Sequence, residues 1–324
     1  TPSDCVEGSL VLCLTEDAAE ALAAGDNSLV EAFSDKVEVK SLKPVFVIAP
    51  GKEDVARRHN LHKWYEVTFD GDTRTAASRL TAFSDVKAVQ FNKVLSPASD
   101  CSFTPYVPSL SEMAVGSAPY NDGMLADQWH LINSGSSMIA NSAVAGADIA
   151  VQDAWSLTAG DPRVVVAVID GPVKYNHPDL AANMWVNTKE VANGKDDDGN
   201  GYIDDIHGYN FRADGPVTWD KKNDSGHGTH IAGTVAAVNN NGKGVAGVAG
   251  GTGNNDGTRI MSCQIHDGSY AATGDVTAKA IRYAADMGAS ILQCSWGYPG
   301  IYKTDGDYAK LYPAELDAIR YFES

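Results

Sequence analysis

The sequence predicts an α/β protein with a mostly parallel, doubly wound sheet, preceded by a smaller α+β domain. Two observations carry this reading. Beyond residue 122, strand-like apolar runs at 163–169, 259–263 and 290–294 alternate with helical stretches at 229–238 and 275–287. That alternation is the rhythm of βα units around a parallel sheet. Before residue 95, shorter runs of both kinds mix in an order that suits a split β-α-β sandwich.

In the first domain, 1–95, residues 9–14 read as a strand, and Thr15 is placed to cap a helix through Ala24. An apolar run at 45–49 reads as the second strand, with a short helix at 53–61. Residues 64–69 alternate like a strand, Thr73 is placed to cap a helix reaching Phe83, and 86–91 alternate again. The stretch 96–121 holds Pro97, Pro105, Pro108 and Pro119 among many serines and reads as a linker. In the last domain, 122–324, residues 164–169 are uninterruptedly apolar, as a strand covered on both faces requires. The run stops at Asp170-Gly171-Pro172, which puts a carboxylate at the strand's carboxyl end. Ligands and catalytic groups gather at that end of such sheets, although an isolated Asp there also suits a plain turn.

Composition narrows the function classes. The 324 residues are 44% apolar, enough for a full core, and the net charge of −17 repels nucleic acid and anionic membrane, so neither is expected as a partner. No apolar run approaches the roughly 18 residues of a membrane span. The start at Thr1 rather than Met suggests a removed export signal, hence a secreted or cell-envelope location. Five scattered cysteines, an odd number, form neither a disulfide framework nor a metal cluster.

The segment Asp224-Ser225-Gly226-His227-Gly228-Thr229-His230 flanks an imidazole with glycines at the start of a helix whose following residues are small. His227 and His230 stand three apart rather than four, so they do not form a helical zinc pair. Together with Val168-Ile169-Asp170, this segment resembles the subtilisin-like serine peptidase (subtilase) family. Asp127-Gln128-Trp129-His130-Leu131, Gly244-Val245-Ala246-Gly247 and Ser295-Trp296-Gly297 are similar to further stretches of that family, so the likeness runs from about 122 to 297. The region 10–95 is similar to the family's propeptide by position and pattern.

The resemblance implies that Asp170 orients and stabilises an imidazolium on His227, which acts as general base and then general acid. It implies that Ser295, Trp296, Gly297 and Gly268 line a cleft for polypeptide substrates, held by their main chain. It also implies that the chain's own propeptide blocks this cleft until processing between about 95 and 122. Two departures stand out. Gly171 and Pro172 follow the acid where the family has Ser-Gly or Thr-Gly, and neither the family's Gly-Thr-Ser-Met-Ala nor its Ala-Gly-Asn motif occurs in the 324 residues. Gly135-Ser136-Ser137-Met138 precedes the acid and reads as a Ser-rich loop. The nucleophile is therefore expected beyond Ser324, leaving this stretch of catalytic domain inactive by itself. The alternatives are a non-catalytic binding or scaffold protein on the same fold, or a calcium-dependent adhesion protein.

Between acid and base lies Asp196-Asp197-Asp198-Gly199-Asn200-Gly201-Tyr202-Ile203-Asp204-Asp205. On a calcium-loop template Asp196, Asp198 and Asn200 take the first ligand positions, Tyr202 offers its carbonyl and Asp204 the ninth position. His207 stands where the terminal Glu belongs, so Asp205 is expected to supply that carboxylate. Calcium is thus the expected ion, against a plain solvated loop; no organic cofactor is expected.

Overall fold

The structure is a computed structural model, which describes residues 4–97, 119–136, 143–220, 224–267, 272–298 and 304–324. The N-terminal unit comprises β1 (Cys5–Leu14), α1 (Glu16–Ala23), α2 (Ser28–Ser34), β2 (Glu38–Pro44), α3 (Glu53–Arg58), β3 (Trp64–Asp70), α4 (Thr73–Leu80) and β4 (Val86–Lys93). Its strands pair antiparallel in the order β2-β3-β1-β4, a split β-α-β sandwich. The run at β1 is apolar at successive positions because both faces of the strand are covered. Leu10, Leu12 and Leu14 pack with Ala18, Phe33, Ala77 and Leu80 of the helices. Val11 and Cys13 face the other way, into a cluster shared with the C-terminal half.

Two local expectations need correction. The second strand is 38–44, not 45–49. It is an edge strand paired only with β3, and its Glu38, Lys40 and Lys43 protect that edge without looking strand-like. Val45 and Phe46 are apolar because they turn into the core. Thr15 does cap α1, accepting from Ala18 N, but α4 is capped by Asp72, and Thr73 instead accepts from Gly8 N at 2.8 Å. Helix α2 was not predicted; a short segment with Phe33 as its one buried residue offers little periodicity.

After β5 (Ser96–Pro97), the second half runs α5 (Val151–Trp155), β6 (Val165–Asp170), β7 (Gly208–Asn210), β8 (Gly215–Pro216), α6 (His227–Ala236), β9 (Arg259–Gln264), α7 (Gly274–Asp286), β10 (Ile291–Cys294), β11 (Trp296–Gly297), α8 (Asp305–Leu311) and α9 (Pro313–Phe322). The main sheet has the order β10-β6-β9-β7-β8, parallel except for the β7–β8 hairpin. Every residue of β6, paired on both sides, is buried. Val166 and Val168 meet Ala232 and Ala236 of α6 on one face, while Val165, Ala167 and Ile169 share a cluster with Val276 and Ala280 of α7 and Ala314 of α9. This double coverage is the reason for the unbroken apolar run, and each fully buried Val or Ile contributes about 1.5–3 kcal/mol.

The two halves share buried polar contacts as well as apolar ones. Trp64 Nε1 donates to Asp317 Oδ2 at 3.0 Å, Ala314 N donates to Gln90 Oε1 at 3.2 Å, and Asp275 N donates to Asn92 Oδ1 at 3.4 Å. The β1–β3–β4 face of the N-terminal sheet is thereby fixed against α7 and α9. Cys5, Cys13, Cys263 and Cys294 carry free thiols; Cys101 lies outside the described residues. Among the described residues no helix is long and apolar enough to cross a membrane.

Candidate active site

Asp170 is the last residue of β6, 2% exposed, with its Cα in register with Gln264 of β9. Its Oδ1 accepts from Gly171 N at 2.6 Å and is 2.6 Å from His227 Nδ1. A carboxylate only accepts, so His227 Nδ1 carries the hydrogen and Nε2 is left as the basic nitrogen. Glycines set this separation. Gly226 enters α6 at φ +76°, a left-handed conformation that disfavours side chains. At Gly228, a Cβ would stand 2.1 Å from Gly171 O, so the helix start can rest directly on the turn after the acid.

Beside this pair the strand 296–297 carries an extended segment of the N-terminal unit. Ser96 pairs antiparallel with Gly297 and Pro97 with Trp296. On its other side the segment forms a bridge from Val94 to Thr273, and Leu95 N donates to Ala272 O at 2.8 Å. The Leu95 side chain is fully buried. Trp296 Nε1 donates to Ile169 O at 2.9 Å, which anchors the strand next to Asp170, and Ser295 Oγ accepts from Gln293 Nε2 at 3.0 Å. Of the predicted cleft residues, Ser295, Trp296 and Gly297 lie together here; Gly268 lies outside the described residues, as do Ser137 and Met138.

Beneath the strand, Glu315 of α9 is 1% exposed and accepts hydrogen bonds from Thr277 Oγ1, Tyr308 OH and, at 2.7 Å, Tyr298 OH. Burial pushes its carboxyl above the ordinary 4.5. The folded state therefore holds this proton more tightly than the unfolded chain, so its contribution to stability is fullest below pH 4.5 and falls as pH rises through the raised folded value. Glu315→Gln cannot ionise. Thermal unfolding of both proteins from pH 4 to 8 is expected to show wild type losing ground to the variant as pH rises, and parallel curves would contradict this.

The acidic loop departs from the template. Carboxylate oxygens of Glu190, Asp196 and Asp198 lie within 4.8 Å of one another. Glu190, 5% exposed, accepts from the amides of Asp197 and Asp198 through Oε1, while its Oε2 is buried without a hydrogen-bond partner. Burial, reinforced by the charges of Asp205 and Asp198, pushes its carboxyl up. Asp204 and Asp205 do not join the group. Asp204 accepts from the amides of Asn193 and Gly194, and fully buried Asp205 accepts from Asn187, Asn200 and Tyr283. Asn200 donates through Nδ2 to Asp205 Oδ2 at 3.0 Å and accepts through Oδ1 from Tyr202 N at 2.7 Å, while the buried Tyr202 hydroxyl accepts from Arg282. Three clustered carboxylates with one unsatisfied oxygen fit a hard divalent cation. Glu190 escaped the sequence reading because it precedes the template; only folding brings it back over the loop.

An α/β sheet with a carboxylate–imidazole pair at its carboxyl end, beside a strand edge holding extended chain, defines the broad class. Residues 161–321, about half of the chain, match the family model described as the subtilase family, and through this domain the chain belongs to that family of subtilisin-like serine proteases. It is 34% identical over 158 residues to subtilisin-like protease 1 of Plasmodium vivax, covering 48% of this chain and 22% of that protein. It is 32% identical over 149 residues to thermitase of Thermoactinomyces vulgaris, covering 46% and 42% respectively. Fervidolysin from Fervidobacterium pennivorans, a keratinolytic enzyme related to subtilisin, shares the fold over 99% of this chain and 39% of its own, with a TM-score of 0.60 and 18% identity. The matched stretch is thus well under two thirds of these relatives' lengths.

Proposed function

We propose that the chain is the proregion and the first part of the catalytic domain of a secreted serine endopeptidase acting on polypeptides, with Asp170 and His227 as two members of an Asp-His-Ser triad. The observation that carries this is the 2.6 Å contact between the two side chains at the sheet's carboxyl end. With Nδ1–H held by the carboxylate, His227 Nε2 takes the proton from a serine hydroxyl as it attacks the scissile carbonyl. The same nitrogen then returns the proton to the leaving amine, and Asp170 stabilises the intervening imidazolium.

The serine of the triad is not among the 324 residues, which carry no Gly-Thr-Ser-Met-Ala motif. Among the described residues β10 is the open edge of an otherwise covered parallel sheet, with Ile291 50% exposed, and parallel sheets are normally buried on both sides. The domain 1–95 is the proregion, and 96–121 contains the processing region. Its segment 94–97 adds as a strand between 272–273 and 296–297, where main-chain hydrogen bonds would otherwise hold substrate, and so acts as an intramolecular inhibitor. Calcium is held by Glu190, Asp196 and Asp198, and ties down the loop between acid and base.

The test is casein hydrolysis by the full gene product, with Asp170→Ala and His227→Ala as comparisons. Activity that collapses in both supports the triad; undiminished activity in either removes that residue from it, and a wild type that binds casein without cutting it favours a scaffold instead.

A further inference from the structure

His266 follows β9 by two residues and sits one strand over from Asp170, Ile265 N donating to Asp170 O at 2.8 Å. Its ring reaches across to the cleft rim, where Ala272 N donates to His266 Nδ1 at 3.0 Å. The same Ala272 peptide stretch presents its carbonyl to Leu95 N at 2.8 Å. An imidazole nitrogen that accepts an amide hydrogen must be unprotonated, so this bond exists only with His266 neutral and its hydrogen on Nε2.

We propose that His266 is a positioning residue of the cleft: its neutral Nδ1 holds the Ala272 amide and thereby aims the Ala272 carbonyl at the N–H of the chain lying where Leu95 lies. The occupant in this structure is the N-terminal segment; that a polypeptide substrate takes the same place rests on the function proposed above. Nothing in the side chains of residues 94–97 can titrate, so control of this bond lies on the receiving side. Charged groups near these strand ends include Asp267, next to His266 and with its Oδ1 3.9 Å from Arg212 Nε, and the Asp170–His227 pair on the adjoining elements. When His266 takes a second proton, Nδ1 becomes a donor, meets the Ala272 amide as another donor, and releases it. Protonation of His266 therefore weakens the grip on the occupant.

The test is residue-resolved hydrogen exchange on the full chain, reading the Leu95 amide against Val67 in β3 as an internal control, at pH 5 and 7.5 with intrinsic rates corrected. In wild type, Leu95 protection is expected to fall about fivefold at the lower pH, the effect of one main-chain hydrogen bond, with Val67 unchanged. His266→Asn places a non-titrating oxygen near the Nδ1 position and is expected to keep protection at both values. His266→Phe is expected to lack it at both. Equal pH dependence in wild type and His266→Asn, or full protection in His266→Phe, overturns the proposal. Exchange reads this bond and casein hydrolysis reads the chemistry, so either conclusion can fail while the other stands.

Discussion

Asp170→Asn is expected to lower casein hydrolysis by the full gene product by about four orders of magnitude while leaving thermal stability nearly unchanged. The amide matches the carboxylate in shape, so packing around β6 survives. If the amide oxygen remains at the Oδ1 position, it still accepts from Gly171 N and His227 Nδ1, but the negative charge that stabilises the imidazolium is gone. If the amide nitrogen turns there, two donors face it, and His227 is driven to the tautomer whose Nε2 carries a hydrogen and cannot act as base. Both outcomes act on the chemical step. A loss in kcat of less than tenfold, with folding intact, would remove Asp170 from the mechanism.

Calcium in 100-fold excess over its dissociation constant is expected to stabilise wild type by about 2.7 kcal/mol. For a protein of this size that raises Tm by roughly 4 °C over the protein in chelator. The decisive comparison is Glu190→Gln. Without calcium, the variant loses a buried charge that has no partner for Oε2 and sits near Asp196 and Asp198, so it is expected to be as stable as wild type or more so. With calcium, the same change removes a ligand oxygen's charge, and most of the Tm gain should vanish. A residue acting only as a capping group for the Asp197 and Asp198 amides would lower stability equally in both conditions. Scanning calorimetry in chelator and in millimolar calcium distinguishes the two, and identical calcium responses in wild type and Glu190→Gln would sink the assignment.

Legibility in the sequence followed the range of the interactions. Asp170 and His227 could be read because each is announced locally, one by an apolar run that ends abruptly and the other by flanking glycines. The acidic loop was half legible. Its Asp196 and Asp198 joined the cluster, whereas Asp204 and Asp205 were drawn off by amides and hydroxyls that a linear template does not contain. The second strand was misplaced for a related reason: apolarity at 45–49 reports burial, and an edge strand with charged side chains gives no such signal.

By itself the sequence determined which half would be a parallel sheet, where β6 would end, and which imidazole would open α6, since these depend on patterns within a dozen residues. Only the tertiary structure decided that Oδ1 of Asp170 meets Nδ1 of His227, that Glu190 turns back over the acidic loop, and that 94–97 lies between 272–273 and 296–297 beneath the reach of His266. Those contacts join residues far apart along the chain. Closing such loops costs entropy that local preference cannot offset, so they form when the buried faces of the sheets pack together.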